Sequence, residues 1–188
     1  MKLRTTGLAA AVTLAAGLLT TSPATAAPVG VGLPAVVAAA KDKAAQKYPD
    51  ARFRGAEAAL DEPPVTGVEG IRRWALHFTD PSHPSGGFSY VYGVDGEYQV
   101  TEIWEPVAGL RVVDPFTMIE DKALAALRGS GVDEPFSALS LSQPEGGDAR
   151  AATEPTYYFC VDHGGEGRVT GIGTETLEVY PDLYACEV

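Results

Sequence analysis

The sequence predicts an α+β fold in which an amphipathic helix packs on an antiparallel meander sheet, arranged as two tandem helix-plus-sheet units. Two observations predict this. Each half of the chain opens with apolar residues at helical spacing and continues with short alternating segments. The pair Asp95-Gly96 also stands between two alternating runs, which is typical of a tight hairpin. Such a helix buries its apolar stripe against one face of the sheet and leaves the other face in water.

The first helix is predicted near the start of the first unit, which spans residues 27–110. Pro34 suits a first helical turn, and Pro49 stops the helix. Between these prolines, one apolar stripe recurs at helical spacing. Its members are Leu33, Val36, Val37, Ala40, Ala44 and Tyr48.

Short alternating segments follow in the first unit, and each is expected to form a strand. They occupy residues 53–60, 73–78, 88–94 and 97–104. The first is a weak strand, whereas the second is strong because Trp74, Leu76 and Phe78 share one face. His77 then falls on the opposite face, where we expect it to be solvated.

The second unit, residues 111–188, opens with a second amphipathic helix. Asp114 is its predicted N-cap, Pro115 suits its first turn, and Gly129 ends it. The apolar stripe consists of Phe116, Ile119, Ala123, Leu124 and Leu127. The strands that follow are predicted at residues 136–141, 155–161 and 169–180, with a flexible polar loop at 143–154.

Residues 1–26 are predicted to be a cleaved secretory signal. Lys2 and Arg4 form a short positive region, residues 8–19 are apolar, and Ala24 and Ala26 supply small residues for cleavage after Ala26. The apolar run is shorter than the roughly 20 residues that a membrane-spanning helix needs. We therefore expect an extracellular protein that is not inserted in a membrane.

The composition argues against two classes of partner. The chain carries 25 acidic and 14 basic residues, a formal net charge of −11. Such a surface repels phosphate backbones and anionic lipids. We therefore expect neither a nucleic acid nor a membrane as partner.

The two cysteines, Cys160 and Cys186, are predicted to form a disulfide. They are the only cysteines of the chain, and an even pair in an oxidising compartment is much more often bridged than free. The bond would fasten the C-terminal residues to the strand that contains Cys160.

The first half resembles a known family. The strings AAQKYPDARFRGAEAAL, RRWALHF and YVYGVDGEYQV are similar to the PepSY pattern, in which an Ala-rich helix runs into a Tyr-Pro turn and a Trp-led strand. The second half is similar only in the order of its elements. The tandem arrangement also resembles that of β-lactamase-inhibitor proteins, in which two such units form a concave sheet that clamps an enzyme. These resemblances imply inhibition of a peptidase or a β-lactamase.

No arrangement of residues typical of nucleophilic catalysis stands out in the sequence. Gly129-Ser130-Gly131 follows a helix, whereas a nucleophile elbow lies between a strand and a helix. Cys160 and His163 are three apart and point to opposite faces of an extended strand. Because acidic residues are so numerous, pairs of them do not identify a glycosidase site. We predict no catalytic residue and no cofactor.

The three histidines keep an enzymatic alternative open. The histidines are His77, His83 and His163, and Asp80 and Asp162 lie close to two of them. Equivalent loops carry two of the histidines, so a small secreted hydrolase or a metal-dependent enzyme is the second hypothesis. We expect the loop histidines to be solvated and to bind no metal. A protein that binds a cell-wall polymer or another ligand is the third hypothesis.

The leading hypothesis is a secreted, non-enzymatic binding protein that inhibits an extracellular enzyme. Aromatic residues with polar groups are preferred anchors of protein interfaces, and the strands contain many. Phe88, Tyr90 and Tyr92 share one face, so they point either all inward or all outward. The loops at residues 80–87 and 162–167 are expected to enter the partner's cleft. The predicted partner-binding residues are Tyr90, Tyr92, Trp104, Tyr158, His83, Asp162 and His163.

Overall fold

The computed structural model describes residues 31–106, 108–113, 115–145 and 153–187. Several sequence predictions fall outside these ranges. They concern the secretory signal at residues 1–26, the helix cap Asp114, and residues 146–152 of the polar loop.

The described residues form two α-helices and nine β-strands. The helices are α1 (Leu33–Lys47) and α2 (Glu120–Gly129). The strands before α2 are β1 (Arg52–Leu60), β2 (Ile71–Thr79), β3 (Gly87–Gly93) and β4 (Tyr98–Ile103). Those after it are β5 (Phe136–Ser142), β6 (Thr156–Asp162), β7 (Gly167–Gly173), β8 (Val179–Tyr180) and β9 (Ala185–Cys186). Within the described ranges, neither helix has the length and apolar character needed to cross a membrane.

All nine strands belong to one antiparallel sheet. Its order is β4-β3-β2-β1-β5-β6-β7-β8, and β9 pairs with β7. The fold is therefore α+β with an antiparallel meander sheet, as predicted. The strands before α2 lie on one side of the β1–β5 junction and those after α2 lie on the other, so we call these sets the first and second halves of the sheet.

The strongest predicted strand and the predicted hairpin are both present. Trp74, Leu76 and Phe78 on β2 are almost completely buried on one face. Between β3 and β4, the amide of Gly93 donates to the carbonyl oxygen of Glu97 over 2.9 Å. Gly96 in this turn has φ of +83°, a conformation that favours glycine.

Residues of both helices join one hydrophobic core on a single face of the sheet. The buried residues of α1 are Leu33, Val36, Val37, Ala40 and Ala44. At the beginning of this helix, the amide of Leu33 donates to Oε2 of Glu120 over 3.0 Å, so a buried carboxylate of α2 satisfies an otherwise unpaired N–H group. The first turns of the two helices are thus tied together, a contact that the sequence did not predict.

The second helix begins later than the sequence predicted. The apolar spacing from Phe116 onward suggested a start at residue 115, but α2 begins at Glu120. The preceding backbone bonds to strands instead, because the amide of Val113 donates to Phe53 and the carbonyl of Met118 accepts from the Tyr157 hydroxyl. These tertiary contacts replace the first helical turns.

The predicted strand at residues 169–180 is also wrong in its extent, because the structure divides it into β7 and β8. The turn between them is organised by Glu154, whose Oε2 accepts the amide of Thr176 over 3.1 Å. Although Glu154 was assigned to a flexible polar loop, it is buried. A buried carboxylate therefore holds the turn that follows β7.

The strand that seemed weakest in the sequence is central in the structure. β1 pairs with β2 on one side and with β5 on the other. A Cβ added to Gly55 would lie 2.6 Å from the carbonyl oxygen of Leu141 on β5. The glycine that weakens β1 in isolation is thus what allows the two halves of the sheet to approach each other.

Candidate functional site: the open face of the sheet

The face of the sheet opposite the helices has mostly small or polar side chains at its centre. Residues paired across strands share a face, and Glu57 on β1 is paired with both Ala75 on β2 and Ser140 on β5. The central strip, as we call this region, consists of Gly55, Glu57, Ala75, Ala138, Ser140 and Ser142. We call the whole surface the open face.

On the side of the first half, Trp104 borders the central strip. Its ring stacks on the imidazole of His77 with 4.8 Å between centroids and 16° between planes. Nδ1 of His77 lies 2.7 Å from the Ser89 hydroxyl, and His77 is only 8% exposed. The expectation of a solvated His77 is therefore wrong. The sequence predicted on which face of β2 His77 lies. It did not predict that this face is covered there by Trp104, which follows β4 in the chain.

Glu57 lies on the outer side of this histidine. Its Oε1 is 3.6 Å from Nε2 of His77. The neighbouring imidazole of His77 lowers the pKa of Glu57, and burial of the carboxylate opposes this. Because 3.6 Å is longer than an ordinary hydrogen bond and the Glu57 side chain is 69% exposed, we expect a small effect.

The row Ser89, His77 and Glu57 contains the residue types of a catalytic triad, but its surroundings do not suit acyl transfer. Ser89 is buried, and β3 is paired with β2 on one side and β4 on the other. The amide groups around Ser89 are therefore committed to sheet hydrogen bonds, whereas an oxyanion hole needs free donors. The surroundings of Ser89, His77 and Glu57 therefore favour a structural role for these residues over a nucleophilic role for Ser89.

A groove of about 180 Å³ runs between Trp104 and the central strip. Leu110 closes one side of it, and the carbonyl oxygen of Leu110 accepts from the Arg54 guanidinium over 2.9 Å. Glu57, His77 and Ser140 are among its lining residues. The groove gives an incoming side chain access to Trp104 and to an exposed carboxylate.

The border on the side of the second half is also aromatic. Tyr158 on β6 is paired with Ser140, and its ring lies 6.5 Å from that of Tyr184. Tyr158 is buried, and this burial raises the pKa of its hydroxyl, while Tyr184 is 55% exposed. Tyr184 was not among the predicted partner-binding residues, although it is the more accessible ring.

The predicted disulfide between Cys160 and Cys186 is present, and it joins positions 26 apart in the sequence. The amide of Val169 donates to the carbonyl of Tyr184, so the C-terminal segment also bonds to β7. Cys160 is therefore committed to a structural bond, and the arrangement of Cys160 with His163 does not supply a thiol nucleophile.

Two predicted partner-binding residues lie on the opposite face. Tyr90 is paired with Leu76 and Tyr92 with Trp74, and both tyrosines are buried in the core beneath the helices. Phe88 points the same way. All three residues therefore point inward, so Tyr90 and Tyr92 are not available on the open face. Alternation along β3 showed that the three side chains share one face of the sheet, but not whether that face is the one covered by the helices.

The two predicted recognition loops lie at opposite ends of the sheet. The end of β2 is paired with the beginning of β1, whereas the end of β6 is paired with the beginning of β5, which runs antiparallel to β1. At about 3.3 Å per residue, the nine residues of β1 separate them by roughly 30 Å. One narrow cleft cannot receive both loops.

The loop residues themselves differ in exposure. His83 is half-buried, and its ring lies 5.2 Å from that of Tyr48. Asp162 is half-buried and accepts the amide of Gly165 over 2.6 Å, which holds the turn, and His163 is exposed. His83 thus packs against Tyr48, and His163 is the most exposed of these three loop residues.

The histidines do not converge. His77 lies on the open face, and His83 and His163 lie in loops at opposite ends of the sheet. Among the described residues, no group of three or more His, Cys, Asp or Glu side chains is placed to hold a metal ion. The metal-dependent alternative therefore gains no geometric support from this part of the chain.

Comparison with protein-family models, curated proteins and solved structures finds no match for this chain. The resemblance to PepSY domains and to β-lactamase-inhibitor proteins therefore stays a prediction from the quoted sequence strings.

Proposed function

We propose that the protein is a secreted binding protein that inhibits an extracellular enzyme, a peptidase or a β-lactamase, through its open face. The observation that carries the proposal is the central strip with an aromatic residue on either side, Trp104 and Tyr184. Small side chains let a partner's backbone approach closely. Aromatic rings bury a large area with few torsions to restrict, which makes them effective anchors.

The size of the open face suits a protein partner. The four spacings from β3 to β6, at about 4.8 Å each, and the length of β1 outline roughly 20 by 30 Å, or about 600 Å². A standard protein interface buries about 800 Å² on each partner. The face supplies most of this area, and one of the end loops can supply the remainder.

The charge of the protein favours a partner with a basic rim. The chain has a net charge of −11, and the carboxylate of Glu57 is exposed at the centre of the strip. Complementary charge mainly accelerates association and selects among partners. We therefore expect inhibition to begin more slowly as salt is added.

Secretion and the tandem arrangement belong to the same proposal. The predicted signal at residues 1–26 and the disulfide support an extracellular location. The strand order is consistent with two units related by an approximate two-fold axis through the β1–β5 junction, perpendicular to the sheet. Each unit would place its helix on the core side and contribute half of the binding face.

The direct test is inhibition by the purified mature protein. Secreted peptidases and β-lactamases are assayed with the protein at micromolar concentration, and retained proteins are recovered from culture fluid. We expect at least one enzyme to be slowed, and Trp104→Ala to weaken inhibition by roughly ten-fold or more. Lys122→Met, on the exposed side of α2, is the matched control and should inhibit like the parent protein. If no enzyme is slowed and no secreted protein is retained, the proposal fails.

A further inference from the structure

A second pocket lies on the helix side of the sheet, away from the open face. It has a volume of about 290 Å³ and lies between the end of α1 and strand β4. The lining residues are Lys43, Gln46, Lys47, Tyr48, Tyr90, Tyr98 and Thr101. A space of this size can accommodate a small organic molecule.

Two ammonium groups give this pocket its charge. Nζ of Lys43 lies 3.9 Å from the centroid of the Tyr98 ring, and Nζ of Lys47 lies 5.0 Å from that of Tyr48. Within the described part of the chain, neither lysine forms a salt bridge, and none of the seven lining residues is acidic. In a chain with a net charge of −11, this is a local positive site.

The rest of the pocket combines flat apolar surface with hydroxyl groups. Tyr98 meets both Tyr90 and Tyr92 edge to face, at 5.8 and 5.7 Å, so the aromatic wall is held by the core. The hydroxyl groups of Tyr98 and Thr101 lie 2.7 Å apart, at an exposed position. A ligand therefore meets rings on one side and hydrogen-bonding groups at the rim.

The helix end accounts for only part of this arrangement. Lys47 stands in the last turn of α1, where a cation offsets the partial negative charge of the helix terminus. Lys43 lies one turn earlier and directs its ammonium over an exposed tyrosine. A carboxylate that enters the pocket can form charge-assisted hydrogen bonds with these lysine side chains. A flat body can pack on the Tyr98 ring once the Lys43 ammonium turns from that ring to the carboxylate.

We propose that this pocket binds a small organic carboxylate that carries a flat apolar body. Lys43 and Lys47 bind the carboxylate, and Tyr98 packs against the body. The site is separate from the open face, so its occupation is independent of the proposed inhibition.

Binding of benzoate to the mature protein tests the site. Amide spectra of isotope-labelled protein are recorded with benzoate, with acetate, which has the charge alone, and with benzamide, which has the ring alone. We expect saturable benzoate shifts in the millimolar range or below, confined to residues 41–48 and 98–101, and weaker binding of the other two probes. Added salt should weaken benzoate binding.

Substitutions then test whether the two lysines bind the carboxylate of benzoate. Lys43→Met and Lys47→Met keep most of the apolar stem, and each should weaken benzoate binding roughly ten-fold, as expected when one charge-assisted contact is lost. Lys122→Met lies outside the pocket and should bind like the parent protein. The proposal is overturned if benzoate gives no saturable shift, if benzamide binds equally well, if the shifts lie elsewhere, or if the lysine variants bind unchanged. An unchanged spectrum of each free variant away from the substitution shows that the fold is retained.

Discussion

The two halves of the sheet cover their open faces in different ways. In the first half, Trp104 stacks on the buried His77 without a covalent link. In the second half, the segment that carries Tyr184 is fastened to β6 by the disulfide between Cys160 and Cys186. The same surface is thus bordered by one ring held by packing alone and one ring on a covalently anchored segment. We expect the first border to adapt more readily to a partner and the second to depend on the redox state.

The largest expected effect comes from breaking the disulfide. A closed loop of 26 residues stabilises the folded state by about 3 to 4 kcal/mol in the loop-entropy treatment. The double variant Cys160→Ala, Cys186→Ala should therefore unfold at a lower urea concentration. Reduction of the parent protein should have a similar effect, and reductant should leave the double variant unchanged. A parent protein with equal stability with and without reductant would contradict this role.

The next largest effect on stability is expected at the junction between β1 and β5, which joins the two halves of the sheet. In Gly55→Ala, the new methyl group meets the carbonyl oxygen of Leu141 at 2.6 Å, so β1 and β5 must separate. We expect a loss of about 1 to 3 kcal/mol, the usual range for overpacking, measured by urea denaturation. Gly129→Ala is the matched control, because a Cβ there meets nothing within 4 Å. Equal stability of the two variants would show that the junction tolerates separation.

Removal of the packed border should have a smaller and more local effect than loss of the disulfide. Trp104→Ala uncovers His77 and removes a half-buried ring, and we expect a loss of about 1 to 2 kcal/mol. Amide spectra should change around His77 and Ser89 and remain unchanged around Tyr158. Changes that spread across both halves would mean that the two borders are coupled.

The smallest effect is a pH dependence in the first half. His77 lowers the pKa of Glu57 below its ordinary value of 4.5, so the contact stabilises the fold above that value. This stability is lost as the pH falls through the lower folded-state pKa of Glu57. Because the side chain is largely exposed, we expect only a few tenths of a kcal/mol.

Carboxyl titration by NMR measures this effect directly. In His77→Gln the pKa of Glu57 should rise towards its ordinary value, and Trp104→Ala shows whether stacking is needed for the interaction. A Glu57 pKa that is the same in the parent protein and in His77→Gln would remove His77 as the cause.

Much of the fold could be predicted because local patterns agree with it. The spacing of Leu33 to Ala44, the alternation of Trp74, Leu76 and Phe78, and the Asp95-Gly96 turn each predict an element that the structure contains. The start of α2 could not be predicted, since Val113 bonds to β1 and Met118 bonds to β6. These competing partners are distant in sequence.

The candidate site was predictable only in part. Trp104 and Tyr158 lie on the open face, whereas Tyr90 and Tyr92 point into the core. Alternation fixes which residues share a face but does not indicate which face the helices cover. The position of Tyr184 at the border and the pocket at Lys43 and Lys47 were missed, because both are formed by segments that meet only in the folded chain.

By itself, the sequence determined the fold class, the pairing of the two cysteines and the sets of side chains that share a face. These properties follow from periodicity and turn chemistry, which act over a few residues, and from the cysteine count. Only the tertiary structure decided that Gly55 joins two halves into one sheet, that His77 lies beneath Trp104, and that the predicted loops occupy opposite ends. Each of these depends on register and on contacts between distant segments, for which local pattern holds no information.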